Sequence, residues 1–165
     1  MKTTPVLNTL LHTAYKHKND ANMTPLRIQK LLYLLHGWYS AIVGESLLDE
    51  PFVHGKFGPV LRGLEQDLAS FSGVPVDDFL PEWDPVTLQV VPLFVNLEAA
   101  PQFAAILKQV WEVYSPLSTR QLSTLCHGPG TPWARTPAGA AILNDLIVAD
   151  FTKRAQESSQ ASART

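Results

Sequence analysis

The adjacent residues Cys126 and His127 carry the side chains that a nucleophile and its general base would need. Both fall at the end of a short predicted helix, where consecutive side chains point about 100° apart. They would face each other only if the helix ended between them. A free cysteine is among the residue types most often buried, so the sequence favours a buried thiol beside a histidine near a helix C-terminus. We expect a protein that is not an enzyme, with catalysis by this pair as the weaker alternative.

The other residues that could take part in chemistry predict no metal site and no cofactor. The five histidines form no H-E-x-x-H pattern, in which two would share one helix face; they are His12, His17, His36, His54 and His127. Cys126 is the only cysteine, so neither a Cys-pair zinc site nor an intrachain disulfide can form. Neither common glycine-rich phosphate loop is present.

Polar side chains also follow one side of a helix predicted at residues 24–44. Gln29, Tyr33, His36 and Ser40 recur at a spacing that places them on one helix face. They either hydrogen-bond inside the domain, as buried polar groups must, or line a groove for a partner. Internal hydrogen bonds to a Gly-Pro turn at 58–59 and to the loop at His127 are the favoured alternative. The apolar side of the helix carries Ile28, Leu31, Leu32, Leu35, Tyr39 and Ile42.

The ends of this helix carry recognisable signals. Thr24 is a predicted N-cap, and Pro25 fits the first helical position, where a missing N–H costs nothing. Gly44 is expected to end the helix. Gly37 costs about 1 kcal/mol relative to alanine in mid-helix, so we expect another segment to approach closely there.

Periodicity along the whole chain predicts one compact, mainly helical α+β domain, residues 1–154, with about five to six helices. Helices are expected at residues 4–18, 24–44, 59–71, 101–114, 118–127 and 139–154. Ser118 and Gln121 match a capping box. Residues 51–57 and 86–95 are expected to pair as one small antiparallel sheet. Residues 155–165 are expected to form a disordered tail.

Composition narrows the classes of function. The 165 residues are 45% hydrophobic and only 17% charged, a charged share below the usual ~25%, which leaves neutral or apolar surface for a partner. The net charge of −2 disfavours non-specific electrostatic binding to nucleic acid or to an anionic membrane. A DNA-binding regulator remains an alternative, although residues 118–127 carry only Arg120 as a base-reading cation. No signal peptide or membrane span is evident, so a reducing cytoplasm is expected.

Three segments in register carry a resemblance to a known family. They are residues 23–33 with 37–39, residues 49–52 with 56–60, and residues 117–122 followed by His127 and 132–133. Their order and spacing resemble the Panacea antitoxin domain, also called SocA-like and found in phage-associated proteins, over about residues 5–153. The residues that match the family's motif are Gln29, Lys30, Tyr33, Gly37, Trp38, Lys56, Gly58, Pro59, His127, Pro132 and Trp133.

The resemblance implies an antitoxin that inactivates a protein toxin, encoded by a neighbouring gene, by direct contact. A SocA-type member instead works as an adaptor that delivers its toxin to a cytoplasmic protease, with a flexible tail as a conceivable tether. Neither activity needs catalytic residues.

Residues that contact a partner are expected in two places. One is the polar helix face, if it lines a groove, and the other is an acidic loop at 77–84; the N-terminal helix is a further candidate. The candidate contact residues are Tyr33, His36, Ser40, Asp77, Asp78 and Glu82. Trp133 either pins its Pro-Gly loop to the domain, which is favoured, or forms a surface anchor.

Overall fold

The computed structural model describes residues 1–16 and 22–162. Within them the chain forms a compact α+β fold, as predicted, with six α-helices, one turn of 3₁₀-helix at 69–71 and two small antiparallel sheets. The helices are α1 (Thr3–Lys16), α2 (Pro25–Val43), α3 (Arg62–Asp67), α4 (Pro101–Tyr114), α5 (Thr119–His127) and α6 (Asn144–Ser162). The strands are β1 (Val53–Gly55), β2 (Gly58–Val60), β3 (Pro81–Asp84) and β4 (Gln89–Pro92). His17 and the predicted end of the first helix, at residue 18, lie outside the described residues.

Helix α2 lies at the centre of the fold and packs against α4, α5 and α6. Every residue from Arg27 to Gly37 is buried, because leucines supply apolar side chains around the whole helix. Polar side chains within that run are expected to find partners inside the protein, but among the described residues the Lys30 Nζ and the Tyr33 hydroxyl have no hydrogen-bond partner.

The predicted helix ends are confirmed. The Thr24 hydroxyl accepts a hydrogen bond from the Arg27 N–H at 3.4 Å, and Pro25 opens α2. Gly44 ends the helix at φ 82°, a conformation that glycine adopts without steric cost. The capping box of α5 has both of its hydrogen bonds, at 3.2 Å and 2.8 Å between Ser118 and Gln121.

The expected close approach at Gly37 is also confirmed. A Cβ atom at this position would lie 2.2 Å from the ring of Phe151 on α6. Because real Cβ contacts are never that short, only glycine lets α6 cross α2 at this distance. The aromatic ring takes the volume that a side chain would otherwise fill.

The predicted single sheet is wrong. Each pair of strands is a local hairpin: β1 pairs with β2, and β3 pairs with β4. We call residues 53–60 the inner hairpin and residues 81–92 the outer hairpin. Closing a short loop costs less conformational entropy than joining distant segments, so the local pairings form. Pro59 consequently lies in β2 rather than at a helix start, and α3 begins at Arg62.

The C-terminal prediction is corrected as well. Helix α6 begins later than predicted, at Asn144, and continues through residues 155–162, which were expected to be disordered. That segment contains no glycine or proline, and an ion pair between Lys153 and Glu157 at 3.8 Å supports it across one turn. Among the described residues, no helix combines the length and the apolar character that crossing a bilayer requires.

Candidate functional site

Several of the motif residues pack around the inner hairpin. Trp133 is half-buried, and its indole N–H donates to the Gly55 carbonyl at 2.9 Å. Its ring stacks on His54 with centroids 4.0 Å apart, and the His127 ring meets it edge-on at 5.2 Å. The predicted pinning of this loop by Trp133 is thus confirmed. Pro132, next to it, is buried.

Helix α2 holds the other side of the inner hairpin. The Gln29 amide accepts from the Leu61 N–H at 3.0 Å and donates to the Leu61 carbonyl at 3.2 Å. The N–H and the carbonyl of Leu61, the residue after β2, are therefore both hydrogen-bonded to one side chain. The free edge of β1 is covered by the loop before α6, since His54 exchanges backbone hydrogen bonds with residues 139–140.

Lys30 lies directly beneath Gly58. A Cβ atom at Gly58 would be 2.5 Å from the Lys30 Nζ and 3.0 Å from the His127 ring, and the glycine has φ 111°. Two independent constraints therefore require glycine here: the backbone conformation and the space. Pro59 follows it within buried β2.

The electrostatics of Lys30 are unusual. Its side chain is fully buried, and within the described residues its Nζ has no hydrogen-bond partner. Burial lowers the pKa of Lys30 to about 8, opposed in part by the neighbouring Cys126. Sequence reasoning named Lys30 as a motif residue but missed its burial. The signal was its helical spacing with Tyr33 and Gly37, which are also buried.

Cys126 is the predicted buried thiol. It is fully enclosed, its Sγ lies 3.8 Å from the Lys30 carbonyl, and burial raises its pKa to about 12. A thiol with such a pKa stays protonated at neutral pH, and only the thiolate is a strong nucleophile. The half-buried His127 turns its ring toward Trp133. Burial lowers the pKa of His127, and the positive charge of Lys30 lowers it further. In the part of the chain that the structure describes, no three potential metal ligands cluster.

The polar stripe of α2 lies in the interior. Gln29, Tyr33, His36 and Ser40 are each at most 4% exposed, so the structure does not place Tyr33, His36 or Ser40 along an open groove. The predicted hydrogen bonds to the 58–59 turn and the His127 loop are wrong for Tyr33, His36 and Ser40. Within the described residues the hydroxyls of Tyr33 and Ser40 have no hydrogen-bond partner. The His36 Nδ1 accepts from the Leu48 N–H at 3.4 Å, which leaves Nε2 to donate to Asn144 at 2.8 Å.

The other members of the stripe and the motif are held mainly by aromatic packing. Tyr33 meets the rings of Phe52 and Phe151 edge-on, at 5.1 Å and 5.9 Å. Trp38 donates its indole N–H to the Tyr114 hydroxyl at 2.8 Å. Lys56 is exposed at the turn of the inner hairpin.

The acidic candidates lie elsewhere, at the base of the outer hairpin. Asp77 and Asp78 are exposed, and Glu82 is half-buried in an ion pair with Lys2. The fold brings this region against α1, where the Tyr15 hydroxyl donates to the Val76 carbonyl at 2.9 Å. Two regions that the sequence proposed separately, the acidic loop and the N-terminal helix, therefore form one surface.

Asn8 on α1 joins the outer hairpin to the domain, and sequence reasoning missed it. The buried Asn8 amide donates to the Leu80 and Leu93 carbonyls at 2.8 Å and 2.9 Å and accepts from the Leu80 N–H at 2.9 Å. One side chain thus joins the residue before β3 to the residue after β4, at the base of the hairpin. The available signal was an asparagine at a core-facing position between Leu7 and Leu11.

The fold and the motif packing define a small helical domain whose most distinctive polar residues support an inner hairpin. A family model described as "Antitoxin SocA-like, Panacea domain" matches residues 28–134, well over half of the chain. The chain belongs to this antitoxin-like family, and the resemblance seen in the sequence is confirmed. No curated protein and no solved structure matches the chain.

Proposed function

We propose that this protein is an antitoxin that neutralises a protein toxin, encoded by a neighbouring gene, through direct protein–protein binding. The observation that carries the proposal is the family match over residues 28–134. Its motif residues lie mainly in the interior, where Gln29 and Trp133 hydrogen-bond to the backbone of the inner hairpin and of the residue after it, and Lys30 packs beneath Gly58. A motif of that kind preserves a scaffold and leaves the surface free to suit a particular partner.

The proposed mechanism is binding without catalysis. Support comes from Cys126, whose thiol is enclosed and has a pKa raised to about 12. A nucleophile needs both access and the thiolate form, and this side chain has neither at neutral pH. Substituting Cys126 by alanine should therefore leave neutralisation intact, and a loss of neutralisation in a folded variant would favour an enzyme.

Among the described residues, exposed apolar side chains lie at the outer hairpin and also at a groove of about 440 Å³ between α2, α4 and α6, where Ile42 and Val113 are 58% and 60% exposed. Contiguous exposed apolar surface on a protein of this size is typical of interaction sites.

The test is co-expression with the product of the neighbouring gene. Expressed alone, that product should stop growth of the host, and co-expression of this chain should restore growth. The two purified proteins should form a complex of fixed stoichiometry by light scattering. A neighbouring product that is harmless, or one that stays toxic despite abundant folded chain, would overturn the proposal.

The same strains separate neutralisation from delivery to a protease. If the chain acts as an adaptor, the half-life of the toxin falls when the chain is present, and growth depends on an intact protease. If the chain inhibits directly, the toxin persists in an inactive complex. Direct inhibition has the better support, because residues 155–162, expected to be a flexible tether, are helical.

A further inference from the structure

The two faces of the outer hairpin carry their side chains in the reverse of the usual order. Successive strand residues alternate between faces, and directly paired residues share a face. The face turned away from the domain contains Pro81, Trp83, Val90 and Pro92, all exposed, with Trp83 paired to Val90. The opposite face carries Glu82, Asp84, Gln89 and Val91. A hairpin normally turns its apolar side chains toward the core and its polar ones toward water.

The exposed apolar surface continues around the tip of the outer hairpin. Val86 is 88% exposed and Leu88 is 68% exposed. Leu88 also has φ 55°, a left-handed conformation that is sterically strained for a non-glycine residue. Strain of this kind gathers at functional sites, and here it presents a leucine to solvent.

The outer hairpin is held firmly in this orientation. Asn8 closes its base with three hydrogen bonds. At the tip, the Asp84 carboxylate accepts from the Thr87 hydroxyl at 2.7 Å and from the Val86 N–H at 2.9 Å. These contacts lower the pKa of Asp84. The apolar face is therefore presented by a fixed frame.

The chain segment that contains the outer hairpin is acidic. Residues 77–98 contain no Lys, Arg or His, and along the chain the nearest Lys or Arg residues on either side are Arg62 and Lys108. Of the nearby cations, Lys2 is already paired with Glu82. The carboxylates in this segment are Asp77, Asp78, Glu82, Asp84 and Glu98.

We propose that the outward face and tip of the outer hairpin are the docking surface for the toxin, and that the toxin meets it with an apolar patch bordered by Lys and Arg. The inference rests on the proposed function and adds to it the surface and the chemistry of the partner. Trp83 supplies the central anchor, since tryptophan is enriched among residues that dominate binding energy. The exposed carboxylates of Asp77 and Asp78 form the acidic border of this surface, which attracts a basic partner and disfavours acidic ones.

The first test replaces the apolar face without unfolding it. Trp83→Thr with Val90→Thr keeps β-forming residues at both positions and removes the apolar contacts. The dissociation constant for the purified product of the neighbouring gene should rise about thirtyfold or more. Val113→Thr is the control for the competing groove on α4, where Val113 is about as exposed as Val90; if docking uses the outer hairpin, this variant binds like the unmodified chain.

The second test reverses the charge of the border. Asp77→Lys with Asp78→Lys should slow association about tenfold at low salt, with a smaller effect at high salt. Glu112→Lys on α4, also an exposed carboxylate, should change association little. Melting temperatures of all variants establish that they fold, and the single substitutions replace any double variant that does not.

The outcomes separate the two proposals. If the unmodified chain neither binds nor neutralises the neighbouring product, the proposed function fails and the docking surface fails with it. If the unmodified chain neutralises but the folded Trp83 and Val90 variant binds as tightly, only the docking surface is overturned. Loss of binding in the Val113 control alone would assign docking to the groove on α4 and also overturn the inference.

Discussion

The inner and outer hairpins are built from similar short strands and have opposite relations to the domain. The inner hairpin is pressed between α2 and the Trp133 loop, and all three residues of β2 are buried. The outer hairpin is joined to α1 at its base, where Asn8 binds the backbone of Leu80 and Leu93, and it turns its apolar face to solvent. The two hairpins show that backbone pairing alone does not decide which surface a sheet buries. Side-chain order and the anchoring contacts decide it.

The inner hairpin depends on small residues where the outer one carries large ones. Gly55 and Gly58 leave room for Val60 and for the Lys30 ammonium, whereas Trp83 and Val90 occupy the outward face of the outer hairpin. Substitutions in the inner hairpin should therefore lower the stability of the protein, whereas substitutions on the outward face of the outer hairpin should weaken binding.

The largest expected effect is at Gly58. Gly58→Ala should destabilise the protein by about 3 kcal/mol or more, because it combines a forbidden φ with a clash against Lys30 and His127. Gly73→Ala is the control: it has φ 86° but open space around it, so about 1 kcal/mol is expected. Chemical denaturation measures both. Equal losses would show that the packing beneath Gly58 contributes nothing.

The next effect is at the anchor of the outer hairpin. Asn8→Ala removes three hydrogen bonds to buried or half-buried backbone groups and should cost about 2–3 kcal/mol. Asn8→Asp keeps the bond from the Leu80 N–H and loses both donations, so an intermediate or equal loss is expected. Hydrogen exchange at the Leu80 amide should accelerate in the alanine variant. Unchanged exchange there would mean that Asn8 does not hold the hairpin.

The sequence predicted local features better than pairings. Caps at Thr24, Gly44 and Ser118 depend on a few adjacent residues, and all three are present in the structure. The hairpins were mispaired because hydrophobic periodicity indicates where strands lie but carries no information on which strand is the partner. The outward face of the outer hairpin escaped notice for the same reason, since alternation does not say which side faces the core.

A third prediction concerns the charge beneath the inner hairpin. Lys30→Met should stabilise the protein by about 2 kcal/mol at pH 7, because a fully buried ammonium without a partner among the described residues is replaced by an apolar chain of similar length. The pKa of Lys30 is about 8 in the fold and 10.5 in the unfolded chain. Between these values the unfolded chain holds the proton and the folded chain does not, so the stability of the unmodified protein rises with pH.

The advantage of the methionine variant should therefore shrink as pH rises from 8 to 10.5. Denaturation of both proteins at pH 7 and near pH 10 measures the difference, and Lys56→Met at the exposed turn of the same hairpin controls for general charge effects. A variant that is less stable at pH 7 would show that the Lys30 ammonium contributes an interaction that supports the fold.

The smallest expected effect on stability is at Leu88, where one substitution should raise stability and weaken binding. Leu88→Gly relieves the left-handed strain at the tip of the outer hairpin and should raise stability by up to about 1 kcal/mol, a few degrees in melting temperature. It also removes an exposed apolar side chain from the proposed docking surface, so affinity for the toxin should fall. Leu88→Asn, which tolerates the same backbone, should behave alike. A rise in stability with unchanged affinity would separate the strain at Leu88 from binding, whereas a loss of stability would mean that the leucine packs at the tip in a way that outweighs its strain.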